Sequence, residues 1–424
     1  MDFFTLEAIP ARFGDCLMLH YGSDAAPGLV LIDGGPSRVW RTSLQPRLKA
    51  IQEARGAGFK IDLLMVSHID DDHVVGIVDF TGAWKADKQA GRPWPFPVKE
   101  VWHNSFERIS NRKDINAVTA SVTASANVVS VAEVDLEEHG IEDNADARAG
   151  LKVLASVAKG KALRDDLAAL GVPTNTGFDG DLVRPGRGPK VPFELGPELK
   201  LHIAGPLSAQ LDDLQEMFAE DLKPETALAA YADASVPNLS SIAAIASFKG
   251  KTILLTGDAR GDYLRDGLKA EGLLGPDGKL HVDIFKLPHH GSDRNIDIDF
   301  FQEITADHYV ASADGTFGNP DRPTMEMLID ARGKDAEYTI HLTYDLAEID
   351  ARREKEWTDD RAGELQKKAT TKPKQKVRAE WDAATMGLKA LFDAKKADGY
   401  QFTVAFPAAA GQGAKIDLLD PLPF

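Results

Sequence analysis

The segment Ser67–His73 constrains the fold of this chain more than any other stretch of its sequence. It reads Ser-His-Ile-Asp-Asp-Asp-His and directly follows an apolar run, Ile61–Val66. A stretch rich in Val, Ile and Gly comes next, at 74–78. This order predicts a buried strand, a loop and a helix. Because α/β folds place their chemistry in loops at the carboxyl ends of parallel strands, we expect the loop to belong to a functional site.

The loop holds five potential metal ligands within six residues. They are His68, Asp70, Asp71, Asp72 and His73. Three carboxylates so close together repel one another, and a bound cation is the simplest way to stabilise them. Imidazoles together with carboxylates suit zinc, manganese or iron. The loop therefore predicts a site for divalent metal.

Two other predicted strands end in residues of the same kind. The strand Lys251–Leu255 is followed by Asp258, and the strand Asp283–Leu287 is followed by His289 and His290. Each of these side chains comes directly after an apolar strand, as the loop does. We therefore expect them to project into the same cleft as the loop.

The element order predicts an α/β fold in two halves, with sheets packed face to face and helices outside. Predicted strands lie at 2–9, 15–21, 28–33, 61–66, 98–102, 199–204, 241–248, 251–255, 283–287, 308–312 and 338–342. Residues 106–195 contain few aromatics and predict a helical insertion, with helices at about 113–135 and 147–170. Residues 346–397 predict charged helices, and 401–406 with 414–419 predict a closing strand pair.

In their order along the chain, these motifs resemble those of the metallo-β-lactamase superfamily. The family motif His-x-His-x-Asp-His stands here as His68-Ile69-Asp70-Asp71-Asp72-His73. A wider set is similar to the ComEC-like branch, which includes the hydrolase domain of the competence DNA-uptake protein. That set consists of Gly14-Asp15-Cys16, Leu31-Ile32-Asp33-Gly34-Gly35, the His68 motif, Asn238-Leu239-Ser240-Ser241, Leu254-Leu255-Thr256-Gly257-Asp258 and Leu287-Pro288-His289-His290-Gly291-Ser292.

The resemblance implies a metallo-β-lactamase αββα sandwich over residues 1–345. The helical insertion at about 106–195 would interrupt this hydrolase domain. Residues 346–424 would form a charged helical extension with the closing strand pair.

The resemblance also implies two metal ions and a role for each matching residue. His68 and Asp70 would bind one metal, Asp72 and His73 the other, and Asp258 would bridge them. His289 would be a further ligand. His290 would be catalytic, with the choice between these two histidines left open. Asp72 would also act in catalysis by orienting a hydroxide. Two further residues would not bind metal. Asp71 would be a spacer, and Asp33 would orient the His68 loop.

The chain departs from the family motif at two points. Asp70 replaces the family's second histidine, and a carboxylate makes the site harder, which favours manganese or iron beside zinc. The family's middle histidine has a candidate in His103, at the end of the strand 98–102, and a less favoured one in His202. Lys286, Ser292 and Arg294 are candidate phosphate contacts, although a surface lysine is the simpler interpretation of Lys286.

Composition limits which partners and which cellular location we expect for this protein. The chain of 424 residues carries 49 basic and 66 acidic residues, a net charge of −17, which works against non-specific binding of nucleic acid by the whole surface. The one cysteine, Cys16, excludes an internal disulfide. No apolar run approaches a membrane span, and the first residues do not have the form of a signal peptide. We expect a cytoplasmic protein without a membrane partner.

Three functions remain open on the sequence. The first is a metal-dependent phosphodiesterase or nuclease that uses a metal-bridging hydroxide, with nucleic acid as substrate. The second is a hydrolase of a small phosphodiester or ester. The third is a component of a multi-protein system, for example in anti-phage defence, gated by partners that dock on 106–195 and 346–397. A basic stretch, Lys367–Arg378, is either a phosphate contact or else a solvated helix face or a mobile loop, and the latter pair is favoured.

Overall fold

A computed structural model of the protein describes residues 1–105, 108–109, 145–178, 180–186, 192–196, 198–217, 236–293, 296–371, 373–409 and 411–424. The helix predicted at about 113–135 and the candidate contact Arg294 lie outside the described residues. Within the described ranges, no helix combines the length and apolar character that crossing a bilayer requires.

Six strands form the first sheet. They are β1 (Asp2–Ala8), β2 (Leu17–Ser23), β3 (Ala26–Ile32), β4 (Leu63–Val66), β5 (Val101–His103) and β14 (Ala414–Asp417). Their order in space is β14-β1-β2-β3-β4-β5. The pairs β3–β4 and β4–β5 are parallel, so these three strands end at the same edge of the sheet.

Eight strands form the second sheet, in the order β13 to β6. They are β6 (Phe193–Leu195), β7 (Leu199–Gly205), β8 (Ala243–Phe248), β9 (Lys251–Leu255), β10 (Leu280–Lys286), β11 (Ile304–Ala311), β12 (Tyr338–Leu342) and β13 (Phe402–Ala405). Strands β9 to β13 run parallel, while β6 to β9 are antiparallel. The predicted hairpin of β8 and β9 is present, and both turn residues, Lys249 and Gly250, have positive φ.

Helices cover the outer face of each sheet. Those of the first half are α1 (Gln45–Arg55), α2 (Asp71–Gln89) and α3 (Ala145–Leu170). The others are α4 (Ser208–Met217), α5 (Val236–Leu239), α6 (Gly261–Ala270), α7 (Ile298–Glu303), α8 (Arg322–Arg332), α9 (Leu346–Thr370), α10 (Ala383–Met386) and α11 (Leu388–Ala397). Short 3₁₀ turns at Pro288–Gly291 and Thr316–Gly318 follow β10 and β11.

Three buried apolar clusters hold these layers together. Phe4 of the first sheet and Phe248 of the second lie in the cluster between the sheets, with their ring centroids 5.6 Å apart. A second cluster joins the first sheet to α1, α2 and α3, and a third joins the second sheet to α6, α7, α8 and α11. The fold is the predicted α/β sandwich with the layer order αββα.

Helix α3 belongs to the predicted insertion and packs on the outside of α2. Its Leu163 and Leu167 join the outer cluster of the first half. Its Asp166 accepts a hydrogen bond from the Thr81 hydroxyl at 3.1 Å and pairs with Lys85. Helix α3 is therefore built onto the helix that starts at the His68 loop, whereas the last residues of the predicted insertion form β6 of the second sheet, which corrects its helical end.

The two last strands do not pair with each other, which corrects the predicted closing pair. Strand β13 adds to β12 in the second sheet, and β14 adds to β1 in the first. Strand β14 alternates buried and exposed side chains and β13 does so only in part, and neither pattern specifies which sheet a strand joins. Residues after 346 therefore complete both sheets.

The start of α2 packs closely against the loop after β3 at two glycines, Gly76 and Gly34. The Gly76 N–H donates to the Gly35 carbonyl at 2.9 Å, and a Cβ on Gly76 would lie 1.9 Å from the Gly34 carbonyl oxygen. We expect Gly76→Ala to lower the free energy of unfolding by about 1–3 kcal/mol through overpacking. Thermal unfolding tests this.

Gly82→Ala on the same helix is the matched control. Its Cβ would meet nothing closer than Asp166 Oδ2 at 4.0 Å. Since alanine is the better helix former, we expect Gly82→Ala to be neutral or to stabilise by up to about 1 kcal/mol. Equal losses in the two variants would contradict a specific contact at Gly76.

Candidate metal centre

The predicted strand ends meet in one buried cluster. His68 follows β4, Asp258 follows β9, and His290 follows β10. One group of potential donor atoms within 4.8 Å of one another comes from His68, Asp72 and His73. A second comes from Asp15, His73, Asp258 and His290. The two groups share His73, so they form a single centre between the sheets.

Asp33 fixes the two histidines of the loop. Its carboxylate accepts hydrogen bonds from the Ser67 backbone N–H at 2.7 Å and the Ser67 hydroxyl at 2.6 Å. His73 Nδ1 lies 2.9 Å from Asp33 Oδ2, and His68 Nδ1 lies 3.1 Å from Ser67 Oγ. A carboxylate only accepts, and the hydroxyl already donates to it. Both histidines therefore carry a proton on Nδ1 and turn Nε2 towards the centre, as expected of metal ligands.

Asp15 faces His290 from the opposite wall of the centre. Asp15 Oδ1 lies 3.3 Å from His290 Nδ1, and Asp15 Oδ2 forms an ion pair with Lys286. The Lys286 ammonium also donates to the Gly257 carbonyl at 3.1 Å and lies 4.0 Å from Asp258 Oδ1. Lys286 therefore supports Asp15 and stands directly behind Asp258.

The inward-facing atoms are spaced as ligands of a cation are. His73 Nε2 lies 3.2 Å from His290 Nε2 and 3.2 Å from Asp258 Oδ1, and His68 Nε2 lies 3.9 Å from Asp258 Oδ2. Donors bound tetrahedrally at 2.0–2.1 Å from zinc are about 3.3 Å apart. Within the described chain, His68 Nε2 and Asp258 Oδ1 are buried without a hydrogen-bond partner. The residues present therefore fit a divalent metal.

The histidines of the centre differ in the direction in which their pKa values are shifted. Burial lowers the pKa of His68 to about 3, so its imidazole is neutral. Burial also disfavours the charged form of His73, yet Asp258 and Asp72 outweigh it and raise the pKa of His73 well above its usual value. Asp258 and Asp15 raise the pKa of His290 in the same way. A proton on either Nε2 atom would therefore compete with a bound cation for the same position.

We expect the affinity for Mn²⁺ to rise with pH as a result. Below their raised pKa values, His73 and His290 hold two protons each and cannot bind metal, so binding must release protons. Calorimetric titration with Mn²⁺ in buffers of different ionisation enthalpy measures that release. An affinity that is flat from about pH 6 to about pH 8 would contradict the assignment of these rings as ligands.

Backbone strain marks the turn that carries the histidine pair. His289 (φ 50°, ψ 45°) and His290 (φ 56°, ψ 18°) both adopt the left-handed conformation, which is costly for residues other than glycine and clusters at functional sites. The turn sends the two rings in different directions. His290 is 1% exposed, with Nε2 3.3 Å from Asp72 Oδ2, whereas His289 is partly exposed, with Nε2 3.8 Å from Asp258 Oδ2.

The Asn238–Ser241 motif supports this turn and the Asp258 loop. The Asp258 backbone N–H donates to the Ser241 hydroxyl at 3.2 Å. Asn238 Nδ2 lies 3.5 Å from His289 Nδ1. The motif therefore orients residues of the centre from the β8 side.

The remaining predicted ligands lie at or beside the centre. Asp70 Oδ2 is 3.7 Å from His68 Nε2, and burial together with Asp72 raises the pKa of Asp70 well above its usual value. His103 lies beside Val66 in the register of β4 and β5, but neither described group of donor atoms includes it. Burial lowers the pKa of His103 to about 4. The role of His103 as a ligand stays a prediction.

Two residues have roles that the sequence did not reveal. Asp15 was visible only as part of the Gly-Asp-Cys motif, and no apolar strand directly precedes it. Lys286 is neither a surface lysine nor placed to touch a substrate, because its side chain is fully buried and paired with Asp15. This corrects both interpretations of Lys286.

Comparison with known proteins agrees with this geometry. Residues 26–155, which contain the His68 loop, match the family model of the metallo-beta-lactamase superfamily. The fold is that of a metallo-β-lactamase.

Other similarities are weaker. A protein described as a metal-dependent hydrolase from Parabacteroides distasonis has 12% identity and a TM-score of 0.33, over 80% of this chain and 92% of that one. Zn²⁺-bound PqqB from Methylobacterium extorquens has 12% identity and a TM-score of 0.37, over 81% of this chain and 98% of that one. At such scores, neither likeness bears on the chemistry of this metallo-β-lactamase fold.

Mouse microtubule-associated protein 1A is 32% identical over 87 residues, which is 19% of this chain. The match spans only 3% of the mouse protein. Nothing about the mouse protein as a whole transfers to this chain.

Proposed function

We propose that the protein is a metal-dependent hydrolase of phosphodiesters, with nucleic acid as its main class of substrate. The observation that supports it is the buried set of inward-facing donors, in which His68, His73 and His290 are joined by the carboxylates of Asp72 and Asp258. Imidazoles together with carboxylates suit zinc, manganese or iron, and paired cations suit displacement at phosphorus. The similarity of the motifs to the ComEC-like branch points the same way.

Each ligand has a proposed place. His68 and Asp70 would hold one cation, Asp72 and His73 the other, and Asp258 would lie between them. When bound, two such cations polarise the phosphate and lower the pKa of a coordinated water. Zinc and manganese are the proposed metals, with iron as the third option.

We assign the two histidines after β10 the opposite roles to those predicted from the sequence, where the choice between them was open. His290 is buried and its Nε2 faces Asp72 and Asp258, so we assign it to the metal. His289 is 23% exposed on its side chain and can reach a bound substrate. We assign His289 as the proton donor to the leaving oxygen.

Asp72 stands where a nucleophile would need to be oriented. Its side chain is 24% exposed, which leaves part of the carboxylate open to solvent. Its pKa is lowered, since His73 and the contact with His290 outweigh the effect of burial. A carboxylate that stays ionised can accept a hydrogen bond from an attacking water and fix its direction.

The basic stretch Lys367–Arg378 does not add to the proposal. Arg378 donates to Glu364 at 3.0 Å and to Asp360 at 2.7 Å, so acidic neighbours on α9 balance its charge. This favours a solvated stretch, of which only the part up to Thr370 lies on α9, over a phosphate contact. Docking of protein partners on 106–195 or 346–397, and the cytoplasmic location, stay proposals.

A panel of substrates tests the function. Purified protein, loaded in turn with Mn²⁺ and Zn²⁺, is assayed against single- and double-stranded DNA, RNA, bis(p-nitrophenyl) phosphate and p-nitrophenyl acetate. Cleavage of a nucleic acid supports the proposal. Cleavage of the small phosphodiester alone favours the small-molecule alternative, and cleavage of the acetate alone overturns phosphodiester chemistry.

A further inference from the structure

The loop after β11 is attached to the metal centre at both of its ends. At its start, the Ser312 hydroxyl donates to the Gly14 carbonyl at 2.8 Å. At its end, the Asp321 N–H donates to the Gly291 carbonyl at 2.9 Å. Gly14 and Gly291 are the immediate chain neighbours of two residues of the centre. Both ends of the loop are therefore held beside the centre.

Phe317, in the middle of this loop, is held in an exposed and strained position. The residue is 60% exposed and has φ 58° and ψ 17°. A positive φ is an outlier for a bulky side chain and persists only where the surroundings enforce it. Here the Phe317 N–H donates to the Glu356 carboxylate at 2.6 Å. At a buried position, packing of the side chain would explain such strain. The side chain of Phe317 is mostly exposed to solvent instead.

The ring of Phe317 packs edge-on against Phe13, which is two residues before Asp15 of the centre. The two ring centroids are 5.2 Å apart with an interplanar angle of 72°, and the Arg12 guanidinium carbon lies 5.1 Å from the Phe13 centroid. The next residue, Gly14, packs on the backbone of Asp72, since a Cβ there would lie 1.9 Å from the Asp72 carbonyl oxygen. The aromatic pair therefore adjoins the partly open side of the centre at Asp72.

We propose that Phe317 is a stacking platform for the base of a nucleoside phosphodiester whose phosphate lies in the metal centre. This inference rests on the phosphodiesterase function proposed above and narrows its substrate to nucleotides. Any base offers a π face to an aromatic ring, so such a contact tolerates different sequences. The carboxylate of Glu356 at the backbone of Phe317 repels a phosphate, which assigns the base rather than the phosphate to this position.

Two esters with the same leaving group test the platform. Thymidine 5′-(p-nitrophenyl phosphate) carries a base, and methyl p-nitrophenyl phosphate does not. We expect kcat/KM for the thymidine ester, divided by kcat/KM for the methyl ester, to fall about 5- to 100-fold in Phe317→Ala. The cause would be a higher KM for the thymidine ester. Phe317→Tyr should retain the ratio. Phe406→Ala, which removes an exposed aromatic directly after the edge strand β13, three strands from β10, is the matched control and should leave the ratio unchanged.

Binding of thymidine 5′-monophosphate, followed by saturation-transfer NMR, separates the two proposals. Cleavage of both esters with the same ratio in wild type and Phe317→Ala overturns the platform and leaves the phosphodiesterase intact. If wild type cleaves neither ester, the phosphodiesterase proposal fails. The platform then stands only if the wild type shows transfer to the thymine protons that Phe317→Ala loses.

Discussion

Replacing Asp258 by asparagine is expected to remove bound metal and hydrolytic activity together. Asp258 is 3% exposed and lies within 4 Å of the Nε2 atoms of four histidines, at 3.2 Å from His73 and 3.5 Å from His290. Asparagine keeps the size of the side chain but loses the charge. Since loss of an outer hydrogen-bonding partner alone costs 10–100-fold in affinity or activity, we expect the loss of this carboxylate to exceed about 100-fold.

Metal analysis by mass spectrometry and the phosphodiester assay, run side by side, measure this effect. Asp262→Asn is the matched control, because Asp262 lies on the first turn of α6, exposed and paired with Arg260. We expect Asp262→Asn to keep both metal and activity. An Asp258→Asn protein that keeps its full metal content and its rate would exclude Asp258 from the centre.

The sequence predicted what is local in this centre and missed what is made by contacts across the fold. The loop 67–73 was predictable because its ligands are neighbours in the chain and follow a strongly apolar strand. The ion pair of Asp15 and Lys286 joins the two sheets from opposite halves of the fold. No periodicity or motif spacing specifies such a contact, because each residue by itself fits an ordinary surface position.

The sequence also could not decide between His289 and His290, because that choice depends on the conformation of one turn. The two residues are adjacent and chemically identical, so composition gives no preference. Their consecutive left-handed conformations decide which ring enters the centre, and nothing in the residues themselves signals that geometry. The fold class was predictable from the order of strands and helices, whereas the sheet that each closing strand joins depended on the assembled sandwich.

Lys286→Met is expected to cause the largest loss of stability. Lys286 and Asp15 are 0% and 1% exposed on their side chains, so the methionine variant leaves a carboxylate buried without its cation. Breaking a buried pair in this way costs about 3–5 kcal/mol. Chemical denaturation of the metal-free protein measures the change. Lys249→Met, which breaks the solvent-exposed pair of Lys249 with Asp2, should leave the stability nearly unchanged.

The double variant Asp15→Asn with Lys286→Met distinguishes a charge effect from a packing effect. With both charges of this pair removed, neither partner is left as a buried ion without the other, so we expect the double variant to recover most of the loss of Lys286→Met. Residues in direct contact show such coupling, whereas independent sites add. Additive losses in this cycle would mean that Lys286 acts through the packing of its chain alone. In that case its ammonium would not be what supports Asp15 behind His290.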